Sequence, residues 1–135
     1  MLEYSVSARR NDAHGGTAFC KDATLTLDTD LNGRLDAFNP AELFLTSVAA
    51  CMLKGLERVA PLLSFSFSGA QVKLHGIRQD APPKMLRIDY EIIIDTDEPD
   101  RRLALMHDNI RKYGTISNTV AAALELSGTI RRAGD

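Results

Sequence analysis

Residues 39–60, NPAELFLTSVAACMLKGLERVA, read as a helix with a marked start and a marked stop. Asn39 has a capping side chain, and Pro40 suits the first helical position. Glu42 stands three residues after the cap, where its carboxylate can reach back to the cap's N–H. From Leu43 to Leu53 apolar residues fall on almost every face. That pattern predicts a helix buried all round rather than along one stripe. Charge returns at Lys54, Glu57 and Arg58, and Pro61 removes the next helical N–H and disfavours helical geometry at Ala60. Near the middle of this helix sits a thiol, Cys51, the sharpest chemical feature of the chain.

Towards the N-terminus the periodicity changes from helical to alternating. Residues 2–9 place Leu2, Tyr4, Val6 and Ala8 on one face of a predicted strand. Asn11 to Gly16, NDAHGG, is turn chemistry, and Thr17 to Asp28 reads as extended. His14 is expected in solvent and Cys20 as an inert thiol on or near a strand. Asp30 to Phe38 is a loop, with Asn32-Gly33 marking a turn.

Beyond the helix, apolar residues stand at odd positions in Ser64 to Phe67 and at even ones in Val72 and Leu74. A bulge or chain break near Gly69 would explain the shift. Gln71 to Arg78 is a predicted strand, Asp80 to Pro83 a connector, and the next run the cleanest period in the chain. Leu86, Ile88, Tyr90, Ile92 and Ile94 face one way and Arg87, Asp89 and Glu91 the other, a half-buried strand hairpinned to its predecessor. A second helix opens near Pro99 with a stripe of Leu103, Met106, Ile110 and Tyr113, and His107 beside it as a satisfied structural histidine. Gly114 is expected to end it in the left-handed conformation. A short third helix capped by Thr115 or Ser117 and a strand over Ser127 to Arg132 close the chain. Strands and helices come in blocks, which predicts an α+β fold with a largely antiparallel sheet packed on the cysteine helix.

With 135 residues the chain is the size of a single domain, 1–135. A net charge of −2 with no basic stripe argues against nucleic acid as a partner. No apolar run reaches the length of a membrane span, and MLEYSVSARR lacks the order of a signal peptide, so a cytoplasmic protein with reduced thiols is expected. The spacings of Cys20, Cys51, His14, His75 and His107 point to no metal, and no phosphate loop, HExxH or nucleophile elbow calls for a cofactor.

NPAELFLTSVAAC, followed by KYGTISNT at residues 112–119, resembles the OsmC/Ohr family of thiol-dependent hydroperoxide reductases, and the order of elements agrees along nearly the whole chain. The resemblance implies an intertwined homodimer, with two central helices sandwiched by sheets from both subunits and active sites at the subunit interface. It implies a peroxidatic thiolate at Cys51, an organic hydroperoxide as substrate, and a thiol reductant. Peroxidase members carry a second, resolving cysteine at the start of the short helix, where this chain has Gly114; Ser117 and Asn118 match. Oxidised Cys51 would then turn to Cys20 or to an external thiol. The family's Ohr branch uses a glutamate that helps hold an arginine over the thiolate. Its position falls on Ala41, with Glu42 adjacent, where other branches of the family carry the acid; Glu42 reads more strongly as the cap. The arginine is drawn from the N-terminal strand region, so Arg9 and Arg10 are the candidates, with Arg34 behind them.

A thiol inside an apolar helix is a poor nucleophile until a cation stabilises its thiolate, and mid-helix placement gains nothing from the dipole. Two readings follow: a peroxidase activated at Cys51 by Arg9 or Arg10, or a stress-related binding or structural module that kept the fold and lost turnover.

Overall fold

The computed structural model describes all 135 residues, Met1–Asp135. The chain divides into two compact units, Met1–Phe44 and Leu45–Asp135. The first holds a three-stranded antiparallel sheet, β1 (Ser7–Asp12), β2 (Gly15–Cys20) and β3 (Ala23–Asp28), in that order. Helix α1 (Pro40–Leu63) begins in the first unit and continues into the second. The second unit adds β4 (Gly69–Gln79), β5 (Lys84–Asp95), α2 (Asp100–Tyr113), α3 (Thr115–Ala121) and β6 (Glu125–Arg132). β4 and β5 form the expected antiparallel hairpin, Gly69 pairing with Asp95 and Gln79 with Lys84. β6 pairs with β5 in parallel, the one departure from antiparallel order among the named strands, after a crossover through α2 and α3.

The α+β class is as expected, but several boundaries differ. The first strand covers Ser7–Asp12 rather than residues 2–9, because only Ser7 onward has a partner on β2. The NDAHGG turn tightens to Ala13-His14, where the Asp12 carboxylate accepts from the N–H groups of His14 and Gly15 at 2.8 and 3.1 Å. Lys21, at φ 53°, splits the expected extended run into β2 and β3. Residues 65–67 form no strand, and the register irregularity lies at Ile77/Arg78 rather than Gly69.

Helix α1 passes through Pro61 and stops shortly after it. Ser64 takes the left-handed conformation (φ 49°), with Phe65 N–H donating to Ala60 O at 2.9 Å and Ser64 N–H to Pro61 O at 3.4 Å. That bond pair is a Schellman stop with serine in the usual glycine position. Proline is tolerated because so little helix remains beyond it.

The core of the second unit lies between α1, the inner face of its sheet, and α2. Val48, Met52, Leu56 and Val59 of α1 meet Ile88, Tyr90, Ile92 and Ile94 of β5 and Leu103, Met106 and Ile110 of α2. The predicted β5 face is therefore the core face, apart from Leu86, which stays exposed at its end. Tyr113, expected in the α2 stripe, is half exposed. Helix α1 is not buried all round: Leu53 and Leu62 remain exposed at 38% and 75%. One chain offers one packing layer, which covers one face of the helix.

Candidate functional site

Cys51 lies on the part of α1 that meets the α2–α3 junction. Its Sγ is 3.9 Å from Ser117 Oγ, and Ser117 is wholly buried while Cys51 is partly so. Gly114, between α2 and α3, is buried beside them. A Cβ built on Gly114 would sit 3.1 Å from Cys51 Sγ, 3.1 Å from Ser117 Oγ and 2.9 Å from Ile110 O. Gly114 is not left-handed as expected. Its φ of −81° and ψ of 114° suit most residues, and the extended backbone separates two helices that Asn118 N–H → Gly114 O then restarts. A side chain here would thus meet close neighbours, Ile110 O first, rather than an unfavourable dihedral angle.

At the same junction, Arg58 Nη1 donates to Tyr113 O at 3.4 Å. Arg58 follows Cys51 by seven residues, about two turns, which puts it on the same helix face. No sequence signal marks Arg58 for this surrounding, and Ser117 is marked only by its match to the family motif; contacts across 55 and 66 residues carry no local pattern.

Glu42 and Asn39 form the capping box in both directions: Glu42 N–H donates to Asn39 Oδ1 at 2.8 Å, and Asn39 N–H to Glu42 Oε1 at 2.9 Å. Arg9 and Arg10 lie on β1 of the first unit, every residue of which is exposed. The Arg9 guanidinium stands 5.1 Å from the Phe19 ring centroid, and neither arginine forms a salt bridge. Both line a hollow of about 400 Å³ with Asp12, Gly16 and Leu27. Arg34 is committed elsewhere: its guanidinium grips Asp36 with two bonds of 2.8 Å, which hold the carboxyl below its usual range.

Cys20 ends β2, with Sγ 3.6 Å from Ser5 O, and both cysteines are free thiols. His14 Nδ1 meets the Asp30 carboxylate at 2.5 Å, and the Asn32 N–H and then this histidine keep Asp30 more acidic than usual. His107 is the satisfied structural histidine that its sequence position predicts. Arg111 donates to the Tyr90 hydroxyl at 3.1 Å, and that hydroxyl meets His107 Nε2 at 2.6 Å. Burial, then the nearby Arg111 charge, pushes His107 below its ordinary value. A neutral imidazole accepting from Tyr90 fits both facts. Gly128 faces Tyr90 across the sheet, where a Cβ would strike the ring at 2.5 Å. No group of side chains suits a metal ion, and no helix is long and apolar enough to cross a membrane.

The family model described as OsmC-like protein matches residues 32–127, from the loop before α1 into β6. The chain belongs to the OsmC-like family. Its fold matches a crystal structure of an OsmC-like protein from Mycoplasma pneumoniae, with TM-score 0.87 and 20% identity over 97% of each chain. An organic hydroperoxide resistance protein OsmC from Legionella pneumophila gives 0.76 and 19%, covering 96% of this chain and 98% of that one. The organic hydroperoxide resistance protein OhrB of Bacillus subtilis gives 0.67 and 17%, with the same coverages. At these identities the likeness is one of fold. No curated protein shows significant sequence similarity to the chain. In this OsmC-like chain, the matched segment contains Glu42, Cys51, Gly114 and Ser117, while Arg9, Arg10 and Cys20 precede it.

Proposed function

We propose that this OsmC-like protein is a thiol-dependent peroxidase that reduces organic hydroperoxides at Cys51 and is recycled by an external thiol. The Cys51 thiolate attacks the distal peroxide oxygen; the S–O bond forms, the O–O bond breaks, and the alkoxide leaves with a proton as alcohol. The resulting sulfenic acid condenses with an external thiol, releasing water, and a second thiol displaces the mixed disulfide to restore Cys51. Arg9 or Arg10 supplies the cation that favours the thiolate, with Glu42 as the auxiliary acid of the family pattern. The working form is a homodimer, which would cover apolar side chains of α1, such as Leu53, that the single chain leaves exposed.

One observation carries the reading. The Cβ position at Gly114 is 3.1 Å from Cys51 Sγ. In a disulfide, each Cβ stands about 3 Å from the opposite sulfur, given the S–S length and its bond angles. The place where peroxidase relatives carry a second thiol therefore abuts this sulfur, with the thiol itself missing. That favours reduction from solution. The same absence favours the second reading, a binding module without turnover.

Cumene hydroperoxide consumption with dithiothreitol separates the two. Turnover is expected in the wild type and in Cys20→Ser, to vanish in Cys51→Ser, and to fall at least about tenfold in the Arg9→Met/Arg10→Met double variant. Gly114→Cys is expected to form a disulfide with Cys51 on oxidation, seen by mass spectrometry. A wild type that consumes no hydroperoxide and keeps Cys51 unoxidised would leave the binding module. Unchanged turnover in the double arginine variant would remove the activating role of Arg9 and Arg10.

A further inference from the structure

A serine within a helix normally returns its hydroxyl to a carbonyl one turn back. Thr119 does this in α3, its Oγ1 donating to Thr115 O at 2.8 Å. Ser117, two residues earlier, does not. The carbonyls one turn back accept from other groups, Tyr113 O from Arg58 and Gly114 O from Asn118 N–H, and neither takes the Ser117 hydroxyl. The hydroxyl is wholly buried, and its hydrogen-bond partner is Cys51 Sγ, at 3.9 Å. A neutral thiol holds such a contact loosely, because sulfur is a weak acceptor and S–H a weak donor. A thiolate does not: bonds to ionised groups are shorter and stronger. Position 114 has no side chain to stand between the two, and any Cβ there would press on both sulfur and hydroxyl.

We infer that Ser117 is the positioning residue of Cys51: its hydroxyl donates to the thiolate, fixes the direction of the sulfur, and stabilises the anion before it reacts. The inference rests on Cys51 being a reactive thiol, as in the proposed function, but not on hydroperoxide being its partner. Arg58 reaches the same junction through the Tyr113 carbonyl.

The test follows Cys51 alkylation by iodoacetamide against pH, in a Cys20→Ser background so that a single thiol reports. Ser117→Ala is expected to slow alkylation at neutral pH roughly tenfold and to move the profile to higher pH, as the loss of a charge-assisted bond requires. Ser117→Thr, which keeps the hydroxyl, is expected to stay near the parent. Circular dichroism checks folding, and Ser117→Gly deletes the hydroxyl if the alanine variant does not fold. An unshifted profile in the folded deletion variant overturns the inference, as does a Cys51 that is inert in the parent. A shifted profile in a protein that consumes no cumene hydroperoxide upholds Ser117 and rejects the peroxidase. Hydroperoxide turnover with an unshifted profile does the reverse.

Discussion

The two units of the chain are held together by different forces. In the second unit apolar packing dominates: Val48, Met52, Ile88, Ile92, Ile94, Met106 and Ile110 are at most 1% exposed. The first unit has no such cluster. Its β1 is exposed throughout, and its buried residues are Gly15, Gly16 and Asp28. Beyond the backbone ladders of its sheet, order there comes from carboxylates that collect backbone N–H groups: Asp12 from His14 and Gly15, Asp28 from Asp30 and Arg34, and Asp30 from Asn32. Apolar alternation at Leu2, Tyr4 and Val6 leads to no burial in the single chain; these side chains stay 75–82% exposed. An alternating pattern thus describes a face, and whether that face is covered depends on what packs against it.

Three measurements test the contrast, in descending size of effect. Ile92→Ala empties a site in the middle of the second core and is expected to cost about 2–5 kcal/mol in urea denaturation. Asp28→Ala leaves the N–H groups of Asp30 and Arg34 without their acceptor and is expected to cost about 1–3 kcal/mol, at the lower end where water can replace the carboxylate. Hydrogen exchange at those two amides should accelerate. A larger loss for Asp28→Ala than for Ile92→Ala would break the contrast.

The smallest effect concerns pH. His107 has an ordinary value of 6.5 and is depressed in the fold by burial and by Arg111. Below about 6.5 the unfolded chain therefore binds a proton that the folded chain refuses. Stability contributed by His107 is present above that point and lost as pH falls towards the folded value. His107→Gln, which still offers Tyr90 an acceptor, is expected to lose less stability between pH 7 and pH 5 than the wild type. Parallel losses in the two proteins would show that His107 stays neutral for no energetic reason of its own.

How much is legible in the chain follows the range of each interaction. The capping box of Asn39 and Glu42 and the core face of β5 can be read from the residues alone, because each depends on positions two to four apart. Pro61 is a misleading stop signal for α1, since a Schellman motif on Ser64 has no glycine to announce it. Gly114 is recognisable by resemblance as the place of a missing thiol, whereas residue type alone wrongly suggests a left-handed backbone there.

By itself the sequence determined the α+β class, the cysteine-bearing helix and the position of most elements, since caps, periods and turn residues act within a few positions of one another. Tertiary structure alone decided which face of α1 is covered, that β6 joins β5 in parallel, and that Ser117 is left with Cys51 as its partner. Those are meetings between segments tens of residues apart. They arise only once the packing of the second unit has brought the α2–α3 junction against the middle of α1.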